Sequence, residues 1–287
     1  MVERRKTMFK NFGPGAVGVD LPFPEAAALA ASHGFEGIQV DVGYLSEHGP
    51  DRYREILAEH GLRNGSFGLP FTVDGDPDEY ERGLETLREV GANAEAIGCD
   101  RCSTYLMSFS DERPYEENFA YFTERLEPVA TILSEHGIRL GLEFLGPLTL
   151  REGHEFEFVH DIEGMLELCE AVDPDTVGLL LDSWHWYTAG DTVETLASLT
   201  ADDVVDVHVN DAPSGIPRDE QVDSVRRLPG ETGVIDIESF LGELDRMGYD
   251  GPVTIEPFSD ELNELDPEET AERTKRSLDR IWEQAGL

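Results

Sequence analysis

Eight short apolar segments alternate with eight amphipathic segments along the chain of 287 residues. The apolar segments are predicted strands at 15–19, 36–42, 63–69, 102–109, 138–145, 177–182, 204–209 and 252–257. The amphipathic segments are predicted helices at 24–33, 51–60, 77–97, 115–136, 161–172, 192–199, 236–247 and 267–284. This alternation is typical of a parallel sheet whose two faces are both buried. Eight repeats at this length favour an α/β fold with a closed (β/α)₈ barrel, as one domain over 1–287, rather than an open sheet.

The chain is strongly acidic, with 61 Asp and Glu against 22 Lys and Arg, a net charge of −39 and a pI near 4.3. Such a surface repels itself in dilute salt, and molar salt shortens the Debye length to about 3 Å. We therefore interpret the charge as halophilic adaptation to a salt-rich cytosol. Because such a chain gains little from the counterion release that drives DNA binding, we expect no nucleic-acid partner.

Neither a membrane span nor a secretion signal is expected. The sequence contains no apolar run of about 18 residues, which a spanning helix would need. Its basic start, "MVERRKTMFK", is not followed by an apolar segment of the signal-peptide kind. We therefore predict a cytoplasmic protein without membrane partners.

Four consecutive predicted strands end in carboxylate or imidazole side chains. These are Glu143 in "GLEFLGP", Asp182 and then His185 in "LLLDSWHW", His208 in "VHVND", and Glu256 in "VTIEPF". The carboxyl ends of the strands form the functional face of a (β/α)₈ barrel, so these side chains are expected to converge. Buried carboxylates must be paired or must bind a metal, lysine is scarce, and the one arginine inside these strands, Arg139, lies at the amino end of its strand. The pattern indicates one divalent metal ion, with Mn²⁺, Mg²⁺, Co²⁺ and Zn²⁺ all suitable.

In this order the four stretches resemble the xylose-isomerase-like TIM barrels, and among them the sugar phosphate isomerase/epimerase group. The stretch from "VHVNDAP" through "LPGETGVIDIESFL" to "GYDGPVTIEPF" is most similar to the inosose isomerase branch. The resemblance implies that one divalent cation is bound by Glu143, Asp182, His208 and Glu256. It also implies that the substrate is contacted by His185 and by an arginine after strand seven, for which Arg218 is our choice.

These residue types suit proton transfer on a small carbohydrate. A metal bound to a carbonyl and its neighbouring hydroxyl acidifies the adjacent C–H and stabilises the resulting enediolate. Glu143 and Glu256 would then remove the proton on one face and return it elsewhere. His185 can hydrogen-bond a substrate oxygen. Trp184 and Trp186 either face a sugar ring or pack in the core, and of the two we take Trp186 as a substrate contact. We predict a metal-dependent isomerase or epimerase of a sugar, sugar phosphate or inosose, for which a homo-oligomer is compatible with the sequence.

Other functions are weighed against this prediction. Xylose isomerase has a lysine two residues after the strand-five glutamate, whereas this chain has Leu145, which disfavours a hydride shift. The first alternative is a dehydratase of the inosose or dehydroshikimate type. Remote alternatives are endonuclease IV-like DNA repair, for which strands three and four lack the needed histidines, and a non-catalytic carbohydrate-binding barrel.

Two smaller questions concern the predicted loops after the strands. Asn210 and Asp211 follow a predicted ligand and either support it from behind or cap the turn. The arginines available to hold a phosphate are few, namely Arg151, Arg218, Arg226 and Arg227. This scarcity favours a substrate without phosphate.

Overall fold

A computed structural model describes residues 7–287, and the basic start of the chain at 1–6 lies outside the described residues. The strands are β1 (Phe9–Phe12), β2 (Gly37–Ile38), β3 (Arg63–Asn64), β4 (Phe67–Gly68), β5 (Arg101–Leu106), β6 (Phe109–Ser110), β7 (Arg139–Phe144), β8 (Phe156–Glu157), β9 (Val177–Asp182), β10 (Val204–Val209) and β11 (Pro252–Ile255). Nine of them form one parallel sheet in the order β3-β2-β1-β11-β10-β9-β7-β5-β4. The remaining two, β6 and β8, pair antiparallel in a small separate sheet.

The sheet closes through the segment that was predicted as the third strand. β3 pairs with β2, and β4, a few residues further along the chain, pairs with β5. Backbone bonds from Gly65 N to Ile38 O and from Leu69 N to Ser103 O extend these two ladders. The interrupted segment therefore occupies one barrel position, and the predicted (β/α)₈ barrel is confirmed.

Helices connect the strands and cover the outside of the barrel. They are α1 (Phe23–Ser32), α2 (Val42–His60), α3 (Pro77–Ile97), α4 (Tyr115–Ser134), α5 (Leu148–Arg151), α6 (Ile162–Val172), α7 (Ser183–Ala189), α8 (Val193–Ser198), α9 (Ile237–Met247), α10 (Asp260–Asn263) and α11 (Pro267–Ala285). Seven predicted helices agree with these bounds within one or two residues. The predicted helix 51–60 is the second part of α2, which is broken at Gly49, where φ is 79°.

The first predicted strand, 15–19, is wrong. The strand is Phe9–Phe12, which pairs with β11 through Phe9 and Pro252, and 15–17 form a short 3₁₀ turn. Gly18 has a φ of 75°, which an extended strand cannot contain. Pairing with β11 and β2 on either side places "FKNF" in the barrel, and this outweighs the apolar character of "AVGVD".

The buried barrel strands bring the functional face together. Every residue of β9 and β10 is buried, because the helices cover one face of the sheet and the barrel interior covers the other. Because these strands are parallel, their carboxyl ends lie at the same mouth of the barrel. Across residues 7–287, no helix combines the length and the apolar character needed to cross a membrane.

Candidate metal centre

The carboxyl ends of β7, β9, β10 and β11 bring four predicted ligands together. Glu143 lies near the end of β7, Asp182 is the last residue of β9, and His208 pairs in register with Asp182 on the neighbouring strand. Glu256 directly follows β11. Each offers one nitrogen or oxygen atom, and these four atoms lie within 4.8 Å of one another. The convergence expected from the strand ends is therefore present.

Two atoms at the centre of this group have no hydrogen-bond partner among the described residues. They are Oε1 of Glu143 and Nδ1 of His208, both buried and 3.7 Å apart. Nδ1 of His208 also lies 3.4 Å from Oε2 of Glu256. Buried polar atoms are rarely left without a partner unless an ion or water supplies one. Carboxylate oxygens and an imidazole nitrogen without other partners fit a divalent cation.

A buried arginine also lies at this centre, and the expectation that the carboxylates converge without a cation is therefore wrong. The Arg226 side chain is 1% exposed, and its Nη1 lies 2.9 Å from Oδ2 of Asp182 and 3.4 Å from Oε2 of Glu256. Its Nη2 lies 2.9 Å from Oδ1 of Asp223. Arg226 comes from the long loop that follows β10, where the sequence suggested it only as a candidate to hold a phosphate. Nothing in the local pattern distinguishes Arg226 from Arg218.

The loop after β10 is fixed by Asp211. Its backbone exchanges two hydrogen bonds of 2.8 Å with Arg227, and its Oδ2 accepts the N–H groups of Thr232 and Gly233. These bonds tie the beginning of the loop to its end. Arg226 is next to Arg227, so Asp211 holds the backbone segment that carries the Arg226 side chain. Asp211 thus supports the site, although it touches none of the four predicted ligands.

Asn210 orients two of the predicted ligands directly. Its Nδ2 donates to both carboxylate oxygens of Asp182 at 3.1 Å, and its Oδ1 accepts the backbone N–H of Glu256 at 3.2 Å. Asp182 Oδ1 also accepts the N–H of Trp184 at 2.7 Å, which caps α7. Outer partners of this kind fix the direction in which a ligand atom points. These contacts favour the interpretation that Asn210 supports the predicted ligands over the interpretation that it caps the turn.

The carboxylates and His208 in this site shift one another's pKa values. Burial raises the pKa of the Glu143 carboxyl well above its usual value, and the Glu256 carboxylate adds to this effect. Burial by itself would lower the pKa of His208, but Glu256, Asp206 and Glu143 raise it to about 10. Burial also disfavours ionised Glu256, yet His208 and Arg226 together hold its pKa below the usual value. A metal ion at this position would displace the proton on His208, since ligation requires a neutral imidazole.

The other predicted substrate contacts lie in different surroundings. His185 is fully buried beside the centre, with Nε2 at 3.9 Å from Oε1 of Glu143. Burial lowers its pKa well below the usual value, and the positive charge of Arg226 adds to the effect. The Arg218 side chain is 48% exposed, and its Nε lies 3.3 Å from Oδ1 of Asp219. Within residues 7–287, Arg218 makes no ion pair with the four predicted ligands.

Neither tryptophan of α7 is placed as an open surface for a sugar ring. The Trp186 ring packs against Phe240 of α9 at a centroid distance of 5.6 Å, and its indole N–H donates to Thr192 O at 3.2 Å. Trp184 is fully buried, with its ring 5.4 Å from the Arg226 guanidinium. We correct the expectation for Trp186, which lies in the core between sheet and helices. Periodicity could not decide this, because both tryptophans lie in a helix that was not predicted.

Added Zn²⁺ or Mn²⁺ is expected to raise the free energy of unfolding. A ligand that binds only the folded state stabilises it by about 2.7 kcal/mol when the free ligand concentration is 100 times the Kd. The gain should shrink as the pH falls, because protons then compete for the ligand atoms. Thermal unfolding at several metal concentrations measures the effect. The His208→Asn variant should lose it, whereas the control His60→Asn, at the distant end of α2, should keep it; equal gains in both variants would contradict the assignment.

Comparison with known proteins identifies the family. Residues 27–281 match the family model described as "Xylose isomerase-like TIM barrel". The inosose isomerase of Bacillus velezensis is 24% identical over 262 residues, which cover 88% of this chain and 89% of that protein.

Two solved structures are similar over nearly the whole chain. A xylose isomerase domain protein from Alicyclobacillus acidocaldarius has a TM-score of 0.87 at 27% identity, covering 98% of this chain and 100% of that one. The IOLI protein, whose crystal structure has a binding zinc atom, has a TM-score of 0.81 at 22% identity, with the same coverage. At that identity, the second likeness supports the fold alone.

Proposed function

The chain belongs to the xylose isomerase-like TIM barrel family, and from this premise we propose that it is a divalent-metal-dependent isomerase or epimerase of a small carbohydrate. Proton transfer is the proposed chemistry, and an inosose is the first substrate to test. The similarity to an inosose isomerase over 88% of the chain supports this choice of substrate class.

One observation carries the proposal. At the mouth of the barrel, Glu143 Oε1 and His208 Nδ1 are buried without partners and face each other, with Asp182 and Glu256 beside them. A barrel that served only as a scaffold would gain nothing from leaving two such atoms unpaired, since each costs about 1–3 kcal/mol. A bound metal ion would give both atoms a partner.

The reaction would use the metal ion and two carboxylates. A bound divalent cation supplies polarisation of the substrate carbonyl and stabilisation of the negative charge that develops beside it. Glu143 and Glu256 come from β7 and from the end of β11, which are separated in the sheet by β9 and β10, and each would take or return a proton at the carbon next to that carbonyl. General acid–base transfer of this kind contributes about 10²–10⁴-fold to a rate. His185 would hold a substrate oxygen.

Arg226 would organise the carboxylates of this site. Its Nε donates to Asp223 O, its Nη1 faces Asp182 and Glu256, and its Nη2 faces Asp223 and His185. Every N–H group of the guanidinium therefore has a neighbour within the protein. In this arrangement Arg226 balances buried negative charge and holds Asp182 and Glu256 in place.

The surroundings of the loop arginines favour an uncharged substrate. Arg151 lies 3.5 Å from a carboxylate oxygen of Glu157, Arg218 lies beside Asp219, and Arg226 is surrounded by carboxylates. Three of the four arginines considered for phosphate binding are thus already paired. A phosphate would have to displace one of these carboxylates, whereas a neutral inosose or ketose would not.

Solvent deuterium exchange tests the proposal. The metal-loaded protein in concentrated KCl and D₂O is expected to introduce one deuterium beside the carbonyl of an inosose or ketose, as read by mass spectrometry. Metal-depleted protein is the control and should introduce none. A product lighter by one water would indicate the dehydratase alternative. Absence of exchange across inososes, ketoses and ketose phosphates, with metal bound, would contradict the proposed function.

A further inference from the structure

The four predicted ligands occupy only one half of the barrel mouth. They come from β7, β9, β10 and β11, which are neighbours in the sheet. The other half of the mouth is formed by the ends of β1, β2, β4 and β5. The interior of an eight-stranded barrel is about wide enough for one small ligand. A molecule bound at the metal centre therefore also faces this second half.

Tyr105 lies on the second half, directly beside a predicted ligand. On β5 it pairs in register with Glu143 of β7, so both side chains point to the inside of the barrel. The next residue, Leu106, is buried in the core on the opposite face of the sheet. The Tyr105 side chain is nevertheless 56% exposed. It stands in the open mouth and presents an apolar ring with a polar hydroxyl at its end.

Gln39 faces the same space from the end of β2. Its backbone N donates to Phe12 O at 2.8 Å, which places it beside Gly13. A Cβ built on Gly13 would lie 3.2 Å from Oε1 of Gln39 and 2.8 Å from Cγ2 of Thr254. Thr254 pairs in register with His208, so this point is inside the barrel. The half-buried Gln39 amide is therefore also inside the mouth.

Gly68 leaves a hollow between these two side chains. It ends β4, which belongs to the barrel position between β2 and β5, and it pairs in register with Ser103. Ser103 is two residues before Tyr105 and shares its face of the sheet. Gly68 is exposed, and a Cβ built on it would meet no atom within 4 Å. The space next to Tyr105 is thus open rather than filled by the barrel's own side chains.

The polar groups around the hollow are neutral and available. Within residues 7–287, neither the side-chain amide of Gln39 nor the hydroxyl of Tyr105 makes a hydrogen bond. An amide and a phenol each both donate and accept, as alcohol hydroxyl groups do. A phosphate is instead bound best by arginine or lysine. The chemistry of this half of the mouth therefore fits neutral hydroxyl groups.

We propose that Gln39 and Tyr105 form a distal half-site, which binds the hydroxyl groups of the substrate that lie away from the metal ion. Gly68 provides the room for the substrate ring, and the Tyr105 ring packs against its C–H groups. The half-site selects a neutral polyhydroxylated ring, such as an inosose, over a phosphorylated ketose. Its place in a reaction rests on the proposed function, whereas the binding of a polyol does not.

Binding of myo-inositol tests the half-site without turnover, because this cyclic hexol has no carbonyl group and cannot react. Isothermal titration of the Zn²⁺-loaded protein in concentrated KCl measures its Kd. Tyr105→Phe and Gln39→Leu are each expected to raise the Kd about three- to tenfold, the usual effect of losing one neutral hydrogen bond. Gly68→Leu should raise it by about tenfold or more, because the new side chain fills the hollow. The Zn²⁺ affinity and the melting temperature should not change, although a merely structural role would alter them.

Tyr121→Phe is the matched control. Tyr121 belongs to α4 on the outside of the barrel, where its ring packs against the guanidinium groups of Arg113 and Arg125. This variant should bind myo-inositol as the original protein does. Unchanged affinity in both Tyr105→Phe and Gln39→Leu, or no binding of myo-inositol to the original protein, would overturn the proposal. Binding that weakens as expected, without deuterium exchange on any substrate, would keep the half-site and contradict the proposed function alone.

Discussion

The Glu256→Gln variant is expected to lose turnover by about 10³-fold, within the range that general acid–base catalysis contributes. The amide keeps the size of the side chain and one oxygen that could contact a cation, but it cannot accept a proton from carbon. The Glu256 side chain is 21% exposed, so it can reach a substrate at the mouth, and the substitution leaves no cavity. Substrate affinity should stay within about tenfold, since the amide can still hydrogen-bond. Deuterium exchange rates and isothermal titration measure the two quantities separately.

A matched control is available after the same strand. Glu261 lies in α10, its side chain is 79% exposed, and its carboxylate pairs with Arg273 rather than with any predicted ligand. Glu261→Gln should therefore keep the deuterium exchange rate of the original protein. Unchanged exchange in Glu256→Gln, at full metal occupancy, would contradict the two-carboxylate mechanism and leave Glu256 as a ligand alone.

The Arg226→Met variant is expected to lose about 3–5 kcal/mol of the free energy of unfolding, the usual effect of removing one partner from a buried ion pair. Methionine fills part of the volume, but Asp182 and Glu256 are left buried without their cation. Urea denaturation in concentrated KCl measures the loss. Saturating metal should restore part of it, because the cation replaces some of the missing positive charge.

Arg227→Met provides the control for Arg226. It removes the same charge at the next position, and within the described chain Arg227 donates to Arg226 O and has no carboxylate within ion-pair distance. We expect a change of about 0.5 kcal/mol or less, as for most surface substitutions. Equal losses in the two variants would mean that the ion pairs of Arg226 do not carry its stabilising effect.

Together these predictions describe a site whose negative charge is partly offset before any ligand binds. Arg226 and a protonated His208 offset the carboxylates of Glu143, Asp182 and Glu256. Arg226 is permanently charged, whereas the proton on His208 can be displaced by a metal ion. The arginine therefore stabilises the site in both states, and the histidine makes metal binding depend on pH.

The sequence predicted the barrel and the cluster of ligands for one common reason. Strands and helices have different spacings of apolar side chains, so their alternation can be read from the sequence. Parallel strands in a closed barrel all end at the same mouth. A polar side chain at the carboxyl end of a strand can therefore be placed at the barrel mouth even when the paths of the loops are unknown. Glu143, Asp182, His208 and Glu256 could be placed near one another in this way.

The errors arose where placement depends on partners distant in the sequence. The first strand was expected at 15–19 because "AVGVD" is apolar, but pairing with β11 places Phe9–Phe12 in the sheet. The position of Arg226 beside the carboxylates was not predicted, because the path of the loop after β10 depends on Asp211 and its partners at the far end of that loop. Trp186 was expected near substrate, yet the unpredicted α7 turns it toward α9.

By itself, the sequence determined the fold class and the residue types at the strand ends, because both follow from short-range periodicity. The tertiary structure decided which cation lies among the carboxylates and which backbone segment lies against His185. Arg226 lies far along the chain from Glu143 and Asp182, and Gly146 meets His185 only because β7 and α7 pack together. Such contacts form when segments distant in the sequence pack together, so they cannot be predicted from the local pattern of side chains.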